Sequence, residues 1–205
     1  MVHISTGEIF RQEIARNSAL GRRVKQLVAG GRLVPDALVV KVMAARLDHR
    51  TLAEGFVLDG FPRTQGQAAG LDRVLNRQGC PLEGAVYLAC SAGLLMKRLS
   101  GRRTCERCGT NYHLRTMRPR RPGRCDRCGG ALMVRKDDEP ATIRNRLAID
   151  RQAARPLMGY YRQRRWLYRV SGSGPIEAVF KRTVRLFQQQ GWLDDDDRAE
   201  NRRRN

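Results

Sequence analysis

The ten residues Gly55-Phe56-Val57-Leu58-Asp59-Gly60-Phe61-Pro62-Arg63-Thr64 constrain this chain most. Phe56 to Leu58 is an apolar run of strand length, and Asp59, Gly60 and Pro62 stop it and bend the chain. A buried strand that delivers an acid, a glycine and an arginine at its carboxyl end has the layout of an open α/β sheet, where ligands sit in the crevice outside the strand ends. Asp59 and Arg63 are therefore site candidates. The alternative is that Asp59 caps the following turn and Arg63 is a solvated surface arginine.

The elements around this stretch follow from periodicity and punctuation. Ser5-Thr6-Gly7-Glu8 has the spacing of a capping box and predicts a helix with Ile9, Phe10 and Ile14 on one face. Leu20 to Val28 reads as a second helix closed by Gly30-Gly31. A third restarts at Asp36 with Leu38, Val39, Val42, Met43, Ala45 and Leu47 at helical intervals. Leu71 to Arg77 reads as a helix, Gly84 to Leu88 as a second buried strand, and residues 91–99 as a helix with Leu94, Leu95 and Leu99 inward. Arg98 and Arg102 are four apart, so on a helix both project from one face. Thr142 to Met158 reads as a long helix, Tyr168 to Val170 as a last strand, and Ile176 to Gln190 as the closing helix. The whole is an α/β fold, a parallel sheet flanked by helices with a small insert.

The insert spans Thr104 to Val134. Cys105-x2-Cys108 and Cys125-x2-Cys128 supply four thiols from two knuckles, each followed by glycine, Gly109 and Gly129. That donor set and spacing is the pattern of a closed, tetrahedral structural zinc site. In a chain with no export signal, paired knuckles favour metal over disulfides. Few apolar residues lie between the knuckles, so folding there needs the metal. Cys80 and Cys90 stand alone and read as small apolar fillers.

Charge narrows the partners. Forty basic residues, 35 of them Arg, face 20 acidic ones, for a formal charge of +20. An anionic partner or a compositional bias toward Arg explains this, and most of the surplus is expected on solvated surface. No apolar run approaches the roughly 18 residues of a membrane helix, and the first residues show no basic-then-apolar leader. The expectation is a soluble, cytoplasmic protein without membrane partners.

Asp59-Gly60-Phe61-Pro62-Arg63-Thr64 and His3-Ile4-Ser5-Thr6-Gly7-Glu8 through Arg11 resemble motifs of the adenylate kinase family. The similarity continues through Gly31-Arg32-Leu33-Val34-Pro35-Asp36, Gly101-Arg102-Arg103, Arg135-Lys136-Asp137-Asp138 and Arg144-Asn145-Arg146, and covers His3 to about Gln190. The resemblance implies reversible phosphoryl transfer, ATP plus AMP giving two ADP, with Mg²⁺ on the donor phosphates and a zinc-bearing lid. It implies AMP contacts at Thr6, Arg11, Arg32, Val34, Gly60, Arg63, Gln67, Arg135 and Arg146. ATP contacts are implied at Arg98, Arg102, Tyr112 and Gly174, and metal ligands at Cys105, Cys108, Cys125 and Cys128. Arg63, Arg98, Arg102, Arg135 and Arg146 would position and neutralise the transferring group, with Asp59 ordering water around Mg²⁺. For Arg135, ion pairing with Asp137 and Asp138 is the structural alternative. The expected organisation is a core over 1–103 with an AMP-binding helical module at about 5–34, a lid over 104–134, a core again over 135–192, and a disordered charged tail over 193–205. A monomer is expected, with no nucleic-acid partner.

The 205 residues contain no G-x-x-x-x-G-K-[ST] phosphate loop. In the family that loop follows a central strand, and about 25 residues of strand, loop and helix precede the point at which this chain joins the pattern. An open seam in the sheet and a low transfer rate are the expectations for the polypeptide as written. Three explanations stay open: a translation start placed late, a protein that binds nucleotide without transferring phosphate, and a zinc-ribbon nucleic-acid binder grown from a kinase scaffold.

Overall fold

The computed structural model describes residues 1–193; the expected charged tail lies almost wholly outside them. Helices and short strands alternate. β1 (Val2–Ser5) leads into α1 (Thr6–Ala15), α2 (Ala19–Ala29), α3 (Asp36–Ala44) and α4 (His49–Ala53). β2 (Phe56–Asp59), α5 (Gln65–Arg77), β3 (Ala85–Ala89) and α6 (Ala92–Ser100) follow. The insert carries β4 (Arg102–Cys105), β5 (Asn111–His113) and β6 (Leu132–Met133). A 3-10 turn (Lys136–Asp138), α7 (Pro140–Gln163), β7 (Leu167–Ser171) and α8 (Ile176–Gln189) close the chain.

The parallel sheet is split. β1 pairs β2 with Val2 opposite Phe56 and Ser5 opposite Asp59, while β3 pairs β7 with Ala85 opposite Leu167. No ladder joins the two pairs among the described residues. The expectation that β2 and β3 are buried strands is corrected accordingly: Val57 is 37% exposed and Leu88 51%. A parallel strand is buried only where neighbours and covering helices close around it, and each of these strands has a single hydrogen-bonded neighbour.

The main core lies under the first five helices. Phe10, Val24, Met43, Leu71 and Leu75 pack there with Ile4 of β1 and Phe61 beyond β2. A second, smaller cluster joins Ala68 of α5 to Tyr160 and Tyr161 of α7. The insert forms its own antiparallel sheet in the order β5-β4-β6.

Several local expectations need correction. Ser5 precedes α1 but makes no side-chain cap bond; it is the last paired residue of β1, with φ −109° and ψ 117°. α5 begins at Gln65, not Leu71, because the Thr64 hydroxyl accepts the Gln67 N–H at 3.1 Å and caps it. α3 stops at Ala44, so Leu47, though buried, lies beyond it, and α4 follows with Asp48 as its N-cap. That short helix carries too little periodicity to be read from sequence.

α1 and α2 meet closely at Gly21, where a Cβ would lie 2.1 Å from the Glu13 carbonyl oxygen. Backbone cannot retreat as a flexible side chain can. Gly21→Ala is therefore expected to lower stability by about 1–3 kcal/mol, read as a lower urea midpoint without a large change in slope.

Candidate functional site

The turn after β2 builds the site. Gly60 adopts φ +70°, a conformation other residues rarely adopt, and turns its carbonyl toward two donors. The Thr6 hydroxyl donates to that oxygen at 3.1 Å and Arg63 Nε at 2.9 Å. Asp59 does not cap the turn: its exposed carboxylate lies 3.6 Å from His3 Nε2. Nor is Arg63 a free surface arginine, since its guanidinium also sits 3.5 Å from Asp150.

A cleft opens beside this turn, enclosing about 610 Å³ of empty space, open solvent included. Its walls bring together Thr6, Arg11, Arg32, Val34, Gly60, Arg63, Gln67 and Arg146. Phe10, Val28 and Val39 add apolar surface, and Gly7, Gly31, Leu33 and Asp137 complete the lining. Of the residues singled out for AMP, only Arg135 lies outside this lining. The apolar wall residues were read from sequence as core or not at all, because apolar helix positions carry no mark that distinguishes a cleft wall from a core.

Arginines crowd the mouth of the cleft. Burial depresses the pKa of Arg11, and the Arg102 and Arg146 charges add to this against the pull of Asp137. Burial, then the neighbouring Arg63, does the same to Arg146. Arg135 is brought down to about 10 by burial and by Arg11 and Arg102. Carboxylates offset this only in part. Arg146 lies 3.4 Å from Asp137 and 3.8 Å from Asp150. Arg11 and Arg135 have no salt-bridge partner within 4.0 Å among the described residues. Arg135 donates instead to the Thr104 hydroxyl at 2.7 Å and the Asn111 side-chain oxygen at 2.5 Å. Its expected alternative partners are taken: Asp137 faces Arg146, and Asp138 faces Arg102.

Arg98 and Arg102 do not share a helix face. α6 ends at Ser100, so Arg102 starts β4, and the i,i+4 relation does not apply. Arg102 grips Asp138 with two bonds, Nε to Oδ2 at 2.7 Å and Nη2 to Oδ1 at 2.5 Å, and the Asp138 side chain has no exposure. The pair ties the strand that enters the insert to the turn that leaves it. Arg98 instead donates to the Gly174 carbonyl at 3.1 Å and approaches Cys90 Sγ at 3.8 Å. A shallow groove lies along the carboxyl ends of β3 and β7, lined by Tyr87, Cys90, Ser91, Arg169, Ser171 and Ser173 among others. Arg169 went unnoticed in the sequence because nothing marks it among 35 arginines.

In the insert the four Sγ atoms of Cys105, Cys108, Cys125 and Cys128 lie within 4.8 Å of one another. A tetrahedral Zn–S₄ centre with ~2.3 Å bonds needs ~3.8 Å between sulfurs, so the set can hold such an ion. The knuckles repeat one backbone pattern. Gly109 N–H donates to Cys105 O at 3.0 Å and Gly129 N–H to Cys125 O at 2.8 Å, with φ of +74° and +71°. The Thr110 hydroxyl, then its backbone, lowers the Cys108 thiol to about 6, whereas, against the Gly130 N–H, the Cys108 and Cys105 thiols raise that of Cys128. Tyr112, expected at the ATP, is 7% exposed, and its hydroxyl accepts the Asp126 N–H at 2.7 Å beside Cys125 Sγ at 3.4 Å.

The described residues hold no helix long and apolar enough to cross a membrane. The family model described as "Adenylate kinase" matches residues 1–166. The "Adenylate kinase" of Moorella thermoacetica is 44% identical over 177 residues, covering 86% of this chain and 82% of the relative. That of Thermosipho melanesiensis is 40% identical over 187 residues, covering 91% and 87%. The archaeal one of Archaeoglobus fulgidus is 37% identical over 186 residues, covering 91% and 86%. With its cleft of convergent arginines beside the Asp59–Arg63 turn, this chain belongs to the adenylate kinase family.

Proposed function

We propose that the cleft takes AMP as phosphoryl acceptor and that the chain's chemistry is ATP plus AMP giving two ADP. The observation that carries this is the arginine cluster: Arg11, Arg63 and Arg146 converge on one cleft, and Arg11, Arg135 and Arg146 have their pKa values lowered by burial and by neighbouring arginines. A phosphate placed among them relieves that repulsion and gains charge-assisted hydrogen bonds. Arg11, Arg63 and Arg146 would hold the AMP phosphate. Thr6 and Gln67 would read the base, and the backbone of Arg32 to Val34, with Gly60, would frame it. Arg98, Arg102 and Gly174 serve the donor, and Arg135 stands between the two.

No residue acts as a covalent nucleophile. An AMP phosphate oxygen attacks, and the transferring group's charge is spread over its oxygens, so fixed cations are the protein's main contribution. Mg²⁺ would neutralise charge on the donor phosphates, and the exposed Asp59 carboxylate suits its water shell. Zn²⁺ in the four-cysteine set would be structural, since four thiolates leave no open coordination position. The insert would close over the donor and exclude water. The protein acts as a monomer, and nucleic acid is not among its partners.

Two measurements test this reading. Because the 205 residues lack a G-x-x-x-x-G-K-[ST] cradle, the polypeptide as written is expected to bind AMP but transfer phosphate slowly in a coupled ADP assay. Ordinary turnover would show that the loop is dispensable here, and failure to bind AMP would count against the AMP reading of the cleft. Arg11→Ala should weaken AMP by about tenfold or more, the value of one charge-assisted contact, while leaving adenosine unaffected.

The zinc assignment has its own test. The protein should carry one zinc per chain by atomic emission, and Cys105→Ser should lose it together with several degrees of melting temperature. Unchanged metal content would count against the four-cysteine site.

A further inference from the structure

Asp36 reads in the sequence as no more than the start of a helix. In the fold its carboxylate closes a ring of hydrogen bonds at the edge of the cleft. α3 and α5 approach closely enough that a Cβ on Gly66 would lie 2.4 Å from Asp36 Oδ2, and one on Gly70 2.6 Å from Val40. This brings Asp36 against the first turn of α5. Asp36 Oδ2 accepts the Thr64 hydroxyl at 2.8 Å, and Thr64 Oγ1 in turn accepts the Gln67 N–H. Asp36 Oδ1 accepts Gln67 Nε2 at 2.9 Å, and Gln67 Oε1 accepts the backbone N–H of Arg63 at 2.8 Å.

A side-chain amide has two N–H donors and two acceptor lone pairs. Half a turn about its last torsion exchanges them. At Gln67 one N–H is committed to a carboxylate, which only accepts, and one lone pair to a backbone N–H, which only donates. Turning the amide would set oxygen against oxygen and N–H against N–H. Gln67 is 2% exposed and lines the cleft, so water cannot readily repair either mismatch. One N–H and one lone pair remain for a ligand, in a fixed order.

Purine edges differ in that order. Adenine offers an acceptor at N1 and a donor at N6; a 6-oxopurine offers a donor at N1 and an acceptor at O6. An amide free to turn reads either base equally well. We propose that Asp36 is a specificity-determining positioning residue, which locks the Gln67 amide in the orientation that reads adenine and refuses 6-oxopurines. Val34 and Val39 line the same cleft. Asp36 itself touches no ligand. The inference rests on the reading of the cleft as the AMP site.

The experiment is calorimetric titration of the full chain with AMP and with inosine 5′-monophosphate, which differs from AMP only at positions 1 and 6 of the base. The parent protein should prefer AMP by about 100-fold or more, as sites with committed hydrogen bonds do. Asp36→Ala should cut that ratio about tenfold, because Arg63 N–H alone then orients the amide, whereas Asp36→Asn, whose Oδ1 can still accept the Gln67 N–H, should keep most of it. The ratio is taken on one preparation, so a partial loss of folded protein cancels. A merely structural role for Asp36 would weaken both nucleotides alike and leave the ratio unchanged, which overturns the inference, as would a parent that binds both equally. A parent that binds neither nucleotide defeats the AMP reading itself.

Discussion

One backbone oxygen couples the two walls of the site. The parallel register of β1 on β2 sets Ser5 beside Asp59, so the next residue of each strand, Thr6 and Gly60, meet at the strand ends. Gly60 turns left-handed there, and its carbonyl takes the Thr6 hydroxyl and Arg63 Nε together. A side chain at this position would be strained by its φ and would come 3.3 Å from Arg63 Nη2. The start of α1, and with it Arg11, is thereby referenced to the loop that carries Arg63. Cleft shape follows from sheet register through a single acceptor.

Charge in the site is balanced short of neutrality. Asp137, Asp138 and Asp150 each engage an arginine, and these bonds hold long side chains in place. Arg11 and Arg135 keep their charge without a carboxylate partner among the described residues, in surroundings that lower their pKa values. Preorganised cations of this kind need little rearrangement when a phosphate arrives. The Arg102–Asp138 pair has a further consequence. Burying it takes both charges out of water, and removal of either partner leaves the other uncompensated, so the two connections of the insert stay joined at their base.

The insert solves a different problem. Its small core consists of Tyr112, Leu132 and the cysteines themselves. So small an apolar cluster cannot offset the entropy of ordering about thirty residues. Two knuckles with the same backbone turns, each positioned by a left-handed glycine, converge four sulfurs that could hold a metal ion.

What the sequence alone determined is local or spacing-borne. The strand at Phe56, the turn at Asp59-Gly60, the closing helix from Ile176 and the four-cysteine set are all legible there, because periodicity, glycine and ligand spacing act within a few residues of themselves. What the tertiary structure decided lies across long separations. Thr64 meets Asp36 from 28 residues away, and Arg102 meets Asp138 from 36. Arg102 moved from a helix face to a strand because α6 stopped at Ser100, and Tyr112 turned into the core of the insert, where its hydroxyl accepts the Asp126 N–H. The Asp36 ring formed for the same reason. Backbone edges and carboxylates bond with whatever the packed chain brings within about 3 Å, and no property of the residue in isolation says which partner that will be.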